Sequence, residues 1–191
     1  MPLSDEHLIK RAIDGSHVAF AMLVERHRDA VTRLVAEISR SGVDLEDIVQ
    51  ECFIRAYRGL RTYRADASFS TWLLRIAYNV AVTRSSQHVR RNEIVEPNSE
   101  RVSYAADLDT PNPDDEVVNH EIECRMASLI DQLSEHYRVA LVLYYYDQLT
   151  YQEIADVLGK PLNTVKAHLN RAKAHLRRLL VADSMFEEWE S

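Results

Sequence analysis

Along most of this chain apolar residues return every three or four positions, the spacing that lays them on one side of an α-helix. The rhythm predicts helices near residues 5–14, 17–39, 44–60 and 70–87, with breaks at Gly15, at Ser41 and Gly42, and in a polar loop at 62–70. It stops between residues 92 and 116. There Pro97, Pro111 and Pro113 interrupt a stretch in which Glu93, Glu96, Glu100, Asp107, Asp109, Asp114, Asp115 and Glu116 face the single base Arg101, a composition expected of a flexible acidic linker. From 117 to 181 the rhythm resumes with two helices, the second containing HYRVALVLYYYD, followed by a helix-turn-helix. The chain therefore reads as all-α: two small helical domains at 5–91 and 117–181, a linker at 92–116, and an acidic tail at 182–191 expected to be a disordered end.

The sharpest local signals lie in residues 150–180, TYQEIADVLGKPLNTVKAHLNRAKAHLRRLL. Thr150 and Glu153 have the spacing of a capping box, and Gly159 and Pro161 stop the helix they start after two turns. Ala155 and Val165, on either side of the turn, are the small and β-branched residues that let two helices cross closely. Asn163 is the expected cap of the second helix. On a helical wheel Val165, Leu169, Ala172, Leu176 and Leu180 share one side, while Lys166, Ala167, Asn170, Arg171, Ala174, Arg177 and Arg178 share the other. No acid occurs from Lys160 to Val181. A solvated helix ordinarily mixes signs for i,i+4 pairing, so this pattern points to a helix lying in the major groove of DNA.

Composition agrees once it is mapped. The 191 residues include four glycines and are 46% hydrophobic, enough for a helical core. The net charge of −7 is unlike a nucleic-acid binder, but the acids cluster at 44–51, 93–123 and beyond 183, and the bases at 55–91 and 160–178. Cys52 and Cys124 are far apart and in no CxxC pair, so neither a disulfide framework nor a zinc site is expected, and Cys52 reads as core packing. The N-terminus lacks an apolar targeting run, so the cytosol is the expected compartment.

Two further patches stand in the first block. In GVDLEDIVQECFIRAYRGL, Ile48, Val49, Cys52, Phe53, Ala56 and Leu60 make an inner face, whereas Asp47, Gln50, Glu51 and Arg58 cluster opposite with Ile54 among them. An apolar centre ringed by charges has the anatomy of a protein contact, and a plain solvated face fits it equally. In TYRADASFSTWLLRIAYNVAVTRSSQHVRR, Trp72, Arg75, Asn79 and Thr83 share one stripe beside the polar loop 63–69. Aromatic, guanidinium and amide groups suit unstacked bases, and the loop could close over one; Trp72 as core with Arg75 paired internally is the alternative.

In this order the three patches resemble the extracytoplasmic-function sigma factors of bacterial RNA polymerase. DLEDIVQECFIRAYRGL resembles their region 2.2, TYRADASFSTWLLRIAYNVAV regions 2.3 and 2.4, residues 150–180 region 4.2, and AFAMLVERH region 2.1. The resemblance implies that Asp47, Gln50, Glu51 and Ile54 dock on the β′ clamp helices of core polymerase, with the second domain on the β flap. It implies that Tyr63, Arg64, Asp66, Ser68, Phe69, Trp72, Arg75, Asn79 and Thr83 recognise and open the −10 element. The −35 element would be read by Thr164, Lys166, Ala167, Asn170, Arg171, Ala174, Arg177 and Arg178. Leu73 follows Trp72 where primary sigma factors carry a second tryptophan, which implies a weaker melting wedge. An anti-sigma factor is a further implied partner.

No cofactor or metal is expected, and no cluster of residues stands at catalytic spacing; the eight histidines are scattered, so the chain reads as no enzyme. Its rivals are a stand-alone helix-turn-helix regulator with a sensing or dimerising first domain, and a helical enzyme with an incidental basic helix. A regulator would bind its operator without polymerase.

Overall fold

Four of the helices begin at a side chain, Ser16, Asp44, Ser68 or Thr150, whose oxygen accepts an otherwise unpaired N–H. The computed structural model describes residues 3–39, 44–92, 125–126 and 128–182, so the expectations for the linker beyond Asn92 and for the tail beyond Ala182 lie outside the described residues. Helix α1 spans Asp5–Ile13 and α2 His17–Ile38; between them Gly15 turns the chain at φ +101° and the Ser16 hydroxyl accepts the Ala19 N–H at 3.3 Å. The Asp44 carboxylate caps α3, Leu45–Gly59, through Glu46 and Asp47. A 3₁₀ turn, Leu60–Thr62, leads to the polar loop, and Ser68 caps α4, Phe69–Asn92, by accepting the Thr71 N–H. In the second block a helical stretch at 128–131 precedes α5, Glu135–Tyr145. Then come α6, Tyr151–Leu158, and α7, Leu162–Ala182.

Two boundaries differ from the sequence reading. Asn163 is not the cap of α7, because the Thr164 and Val165 N–H groups already donate to the Pro161 carbonyl, at 2.9 and 3.2 Å. Proline holds φ near the helical value, so the chain turns into the helix directly and Asn163 falls inside the first turn. Helix α4 continues past residue 87 to Asn92. Its hydroxyl side chains do not compete with it: Thr83 and Ser86 each donate to the carbonyl four residues back.

The two blocks pack into one body. Helix α2 lies against α5 and α4 against α6, and a single buried core runs from Leu8, Leu23, Leu34 and Cys52 through Leu73 and Leu74 to Leu143, Ile154 and Leu169. The reason is legible in α4, which is apolar around most of its circumference. Leu73, Leu74, Ala77, Val80 and Ala81 cannot all face the first block, and the second covers the remainder. Burial pushes the Cys52 thiol up to about 12, which makes it the inert packing residue expected.

The seam between the blocks is stitched by polar groups. Arg138, 2% exposed, bonds the Glu37 carboxylate through Nε at 3.0 Å, the Glu37 carbonyl through Nη2 at 3.2 Å and the Leu133 carbonyl through Nη1 at 3.0 Å. Arg33 of α2 bonds Asp147 at 2.6 Å and stacks over the Tyr146 ring, while the buried Thr71 hydroxyl donates to Glu153 at 3.3 Å. Burial raises the Asp147 carboxyl from 3.8 to about 6 against the pull of Arg33, and its Oδ2 has no partner among the described residues. A carboxyl with a raised native pKa binds its proton more tightly folded than unfolded. Its contribution is therefore fully present below about 3.8 and lost as pH rises through about 6. Wild type should gain on the order of 2 kcal/mol from this group between pH 7 and pH 4.5, and Asp147→Asn should lack that component. Urea unfolding of both at the two pH values checks it; parallel pH dependences would remove Asp147 from the account.

Candidate nucleic-acid interface

The basic helix sits in a complete helix-turn-helix. Both halves of the capping box are made: the Thr150 hydroxyl accepts the Glu153 N–H at 3.3 Å and the Glu153 carboxylate accepts the Thr150 N–H at 2.9 Å. The Thr150 N–H and the Thr150 hydroxyl, both donating to the carboxylate, hold Glu153 below its ordinary pKa. Gly159 ends α6 in the left-handed region at φ +61°, and α7 turns back against α6, with Val165, Leu169 and Ala172 buried in the core that also holds Ile154, Ala155 and Leu158. The opposite face is open: Lys166, Asn170, Arg171, Ala174, Arg177 and Arg178 are exposed, and Thr164 and Ala167 half-exposed. His168 is half-buried against His136, 4.9 Å between ring centroids. Burial, then His136, Lys160 and Arg171, push its pKa down, so it adds no charge at neutral pH.

The second surface is divided. Arg75, Asn79 and Thr83 are exposed along α4, and Arg64, Asp66 and Ser68 on the loop before it. Phe69 is 4% exposed and belongs to the core, packed edge-on to His27 at 5.2 Å. Trp72 is half-buried, 5.6 Å from Phe69 and 5.4 Å from Tyr63, with its ring against Gly59. Tyr63 is also half-buried, and burial, then the Glu6 and Asp5 carboxylates, raise its phenol. Of the aromatic groups read as stacking platforms, one is wholly internal and two expose part of a ring; the charged and amide groups face outward. Ser68 is a helix cap: its hydroxyl accepts the Thr71 N–H at 3.1 Å and bonds the Thr71 hydroxyl at 2.8 Å.

On α3, Asp47, Gln50 and Ile54 form an exposed face, Ile54 at 44% exposure. Glu51 does not lie free among them. It is partly buried between Arg55, at 2.6 Å, and Arg84 of α4. Burial alone would raise its pKa, and the two guanidiniums more than offset that. Arg84 escaped the sequence reading because its partner is thirty-three residues away on another helix. The run Tyr144-Tyr145-Tyr146 was likewise missed as chemistry: Lys173 of α7 sits 4.7 Å from the Tyr144 ring and 5.5 Å from Tyr145, bracing the basic helix from behind.

Among the described residues no helix is long and apolar enough to cross a membrane, and no three His, Cys, Asp or Glu side chains are grouped to hold a metal.

Two family descriptions match the chain: Sigma-70 region 2 over residues 23–92 and Sigma-70, region 4 over residues 125–176. Similar proteins include the ECF RNA polymerase sigma-E factor of Escherichia coli K12, 35% identical over 175 residues, which cover 90% of this chain and 91% of that one. The ECF RNA polymerase sigma-E factor of Haemophilus influenzae is 32% identical over 176 residues, covering 90% and 92%. Among solved structures, CnrH in complex with the cytosolic domain of CnrY superposes with a TM-score of 0.64 at 27% identity, covering 94% of this chain and 99% of that one. The sigma factor RpoE of Bartonella quintana, in complex with the anti-sigma factor NepR, shares the fold at a TM-score of 0.68, with 19% identity and 86% and 98% coverage.

Proposed function

Because the chain belongs to the extracytoplasmic-function sigma factors of bacterial RNA polymerase, which bind core polymerase and direct initiation at chosen promoters, we propose a division of that work among its surfaces. The outer face of α7 reads the −35 element: Lys166, Asn170 and Arg171 reach base edges, Thr164, Arg177 and Arg178 hold phosphates, and Ala167 and Ala174 let the helix sink into the groove. Arg64 and Asp66 on the loop, with the exposed rim of Trp72 and with Arg75, Asn79 and Thr83 on α4, engage the unstacked −10 strand. Ser68 and Phe69 hold that surface in place. Asp47, Gln50 and Ile54 dock on the β′ clamp helices, with Glu51 fixed beside them by Arg84, and the second domain meets the β flap. The protein acts in the cytoplasm, without enzymatic activity of its own, and an anti-sigma factor restrains it. The observation behind this assignment is the acid-free outer face of α7, mounted on a capped and fully packed helix-turn-helix.

The test is reconstitution. Transcripts induced by overexpression give start sites, and the promoters so mapped are transcribed with purified core polymerase and the chain. Core with the chain should initiate there and core alone should not; operator binding without factor-dependent transcription would identify a stand-alone regulator instead. Asp47→Lys with Gln50→Lys should weaken holoenzyme assembly by about tenfold or more. It should leave thermal stability within about 0.5 kcal/mol, since both side chains are exposed. Normal assembly by this variant would take the α3 face out of the mechanism.

A further inference from the structure

The loop between α3 and α4 is held shut by one of its own side chains. Tyr63 turns its ring inward, 5.4 Å from Trp72 and 5.8 Å from Phe69, the latter edge-on at 87°. Its hydroxyl donates to the Ala67 carbonyl at 2.8 Å, closing residues 63–67 into a ring. At the middle of that ring Ala65 stands at φ +58°; only Gln148 shares a positive φ among the described non-glycine residues. A left-handed alanine is strained by its Cβ, and such strain persists only where neighbouring bonds over-determine the backbone. Here the Tyr63 hydroxyl and the aromatic cluster hold it, and Arg64 and Asp66 are exposed on either side of the strained residue.

We propose that Tyr63 is a positioning residue, which fixes the 64–67 loop in its binding shape through the Ala67 carbonyl and the strained Ala65 and does not itself stack on a base. This rests on the assignment of the loop to the −10 strand. A preformed loop loses little conformational freedom when it closes on an unstacked base, so the hydroxyl contributes to promoter affinity without touching DNA. A second substitution can then replace it: glycine adopts positive φ without strain, so Ala65→Gly removes what the hydroxyl is needed to oppose.

The experiment uses holoenzyme and a promoter fragment pre-melted across the −10 element, beside a fully paired fragment carrying only the −35 element. Tyr63→Phe keeps the ring and removes the bond. It should bind the pre-melted fragment about fivefold more weakly, the usual worth of one hydrogen bond, with −35 binding unchanged and the melting temperature lowered by no more than the loss of that one bond accounts for. Ala65→Gly added to Tyr63→Phe should return affinity to within about twofold of wild type, whereas a tyrosine that contacted the base would not be rescued from a neighbouring backbone position. Wild-type affinity in Tyr63→Phe, or no rescue in the double variant, overturns the proposal. Wild-type holoenzyme that binds native and scrambled −10 bubbles equally well would instead refute the assignment of the loop, a separate outcome.

Discussion

Ala167→Glu will abolish recognition of the −35 element, and Arg171→Ala will weaken it by about 1 to 3 kcal/mol, roughly five- to 150-fold. Ala167 lies at the centre of the outer face of α7, with Lys166, Asn170 and Arg171 around it. A carboxylate there sets a negative charge against the phosphates and blocks the close approach a methyl group permits. Holoenzyme titrated into a labelled −35 duplex at fixed salt measures both variants, and single-base changes in the duplex show whether Arg171→Ala relaxes preference at one or two positions. Arg178→Ala is the control: as a phosphate contact it should weaken all sequences alike and lower the salt slope by about one. Unchanged base preference in Arg171→Ala, with promoter binding retained by Ala167→Glu, would end the groove-reading assignment.

Arg138→Ala should cost about 3 to 5 kcal/mol of folding stability. The guanidinium is 2% exposed and spans the seam to the carboxylate and carbonyl of Glu37 as well as the carbonyl of Leu133. Its removal leaves those acceptors facing a cavity. Urea unfolding measures the loss. A double-mutant cycle with Glu37→Gln isolates the cross-seam part, which should exceed about 1 kcal/mol. A loss below about 1 kcal/mol for Arg138→Ala alone would mean that water replaces the guanidinium and that the seam is held by apolar contact.

What could be read from the sequence was local. Thr150, Glu153 and Gly159 lie within ten residues of one another, and the bonds they make are those their spacing dictates. The two faces of α7 likewise follow from position on one helix: the residues assigned inward from Val165 to Ala172 are buried, and Leu176 and Leu180 are half-buried toward the end. What escaped depends on which helix faces which. Glu51 falls on the polar side of the α3 wheel, yet Arg84 arrives from α4 to hold it. Phe69 opens a helix beside a polar loop, where an aromatic ring suggests stacking, but His27 of α2 sits under it. Arg138, in the run HYRVALVLYYYD, carries no local sign of its role, because nothing nearby announces that Glu37, a hundred and one residues away, will meet it. Asn163 is a local miss: a good capping side chain lost to Pro161, which was taken to end one helix and also starts the next.

The seam also sets a limit on reach. Elements centred near −10 and −35 lie about two and a half turns of duplex apart, on the order of 80 Å. In the packed body the hydroxyl at the start of α4 touches the carboxylate that caps α6 at 3.3 Å, so the helix assigned to the −10 strand lies directly against the first helix of the helix-turn-helix. A compact globule of 191 residues is on the order of 40 Å across, a short ruler for that interval, so in this shape it would rest at one mark or the other. Bipartite promoter binding and an intact seam are therefore competing states. If the surfaces are assigned correctly, the free energy that Arg138, Arg33 and Thr71 contribute to the seam would be subtracted from promoter affinity, and a substitution that weakens those ties while sparing the two halves should make the protein a poorer globule and a tighter promoter ligand.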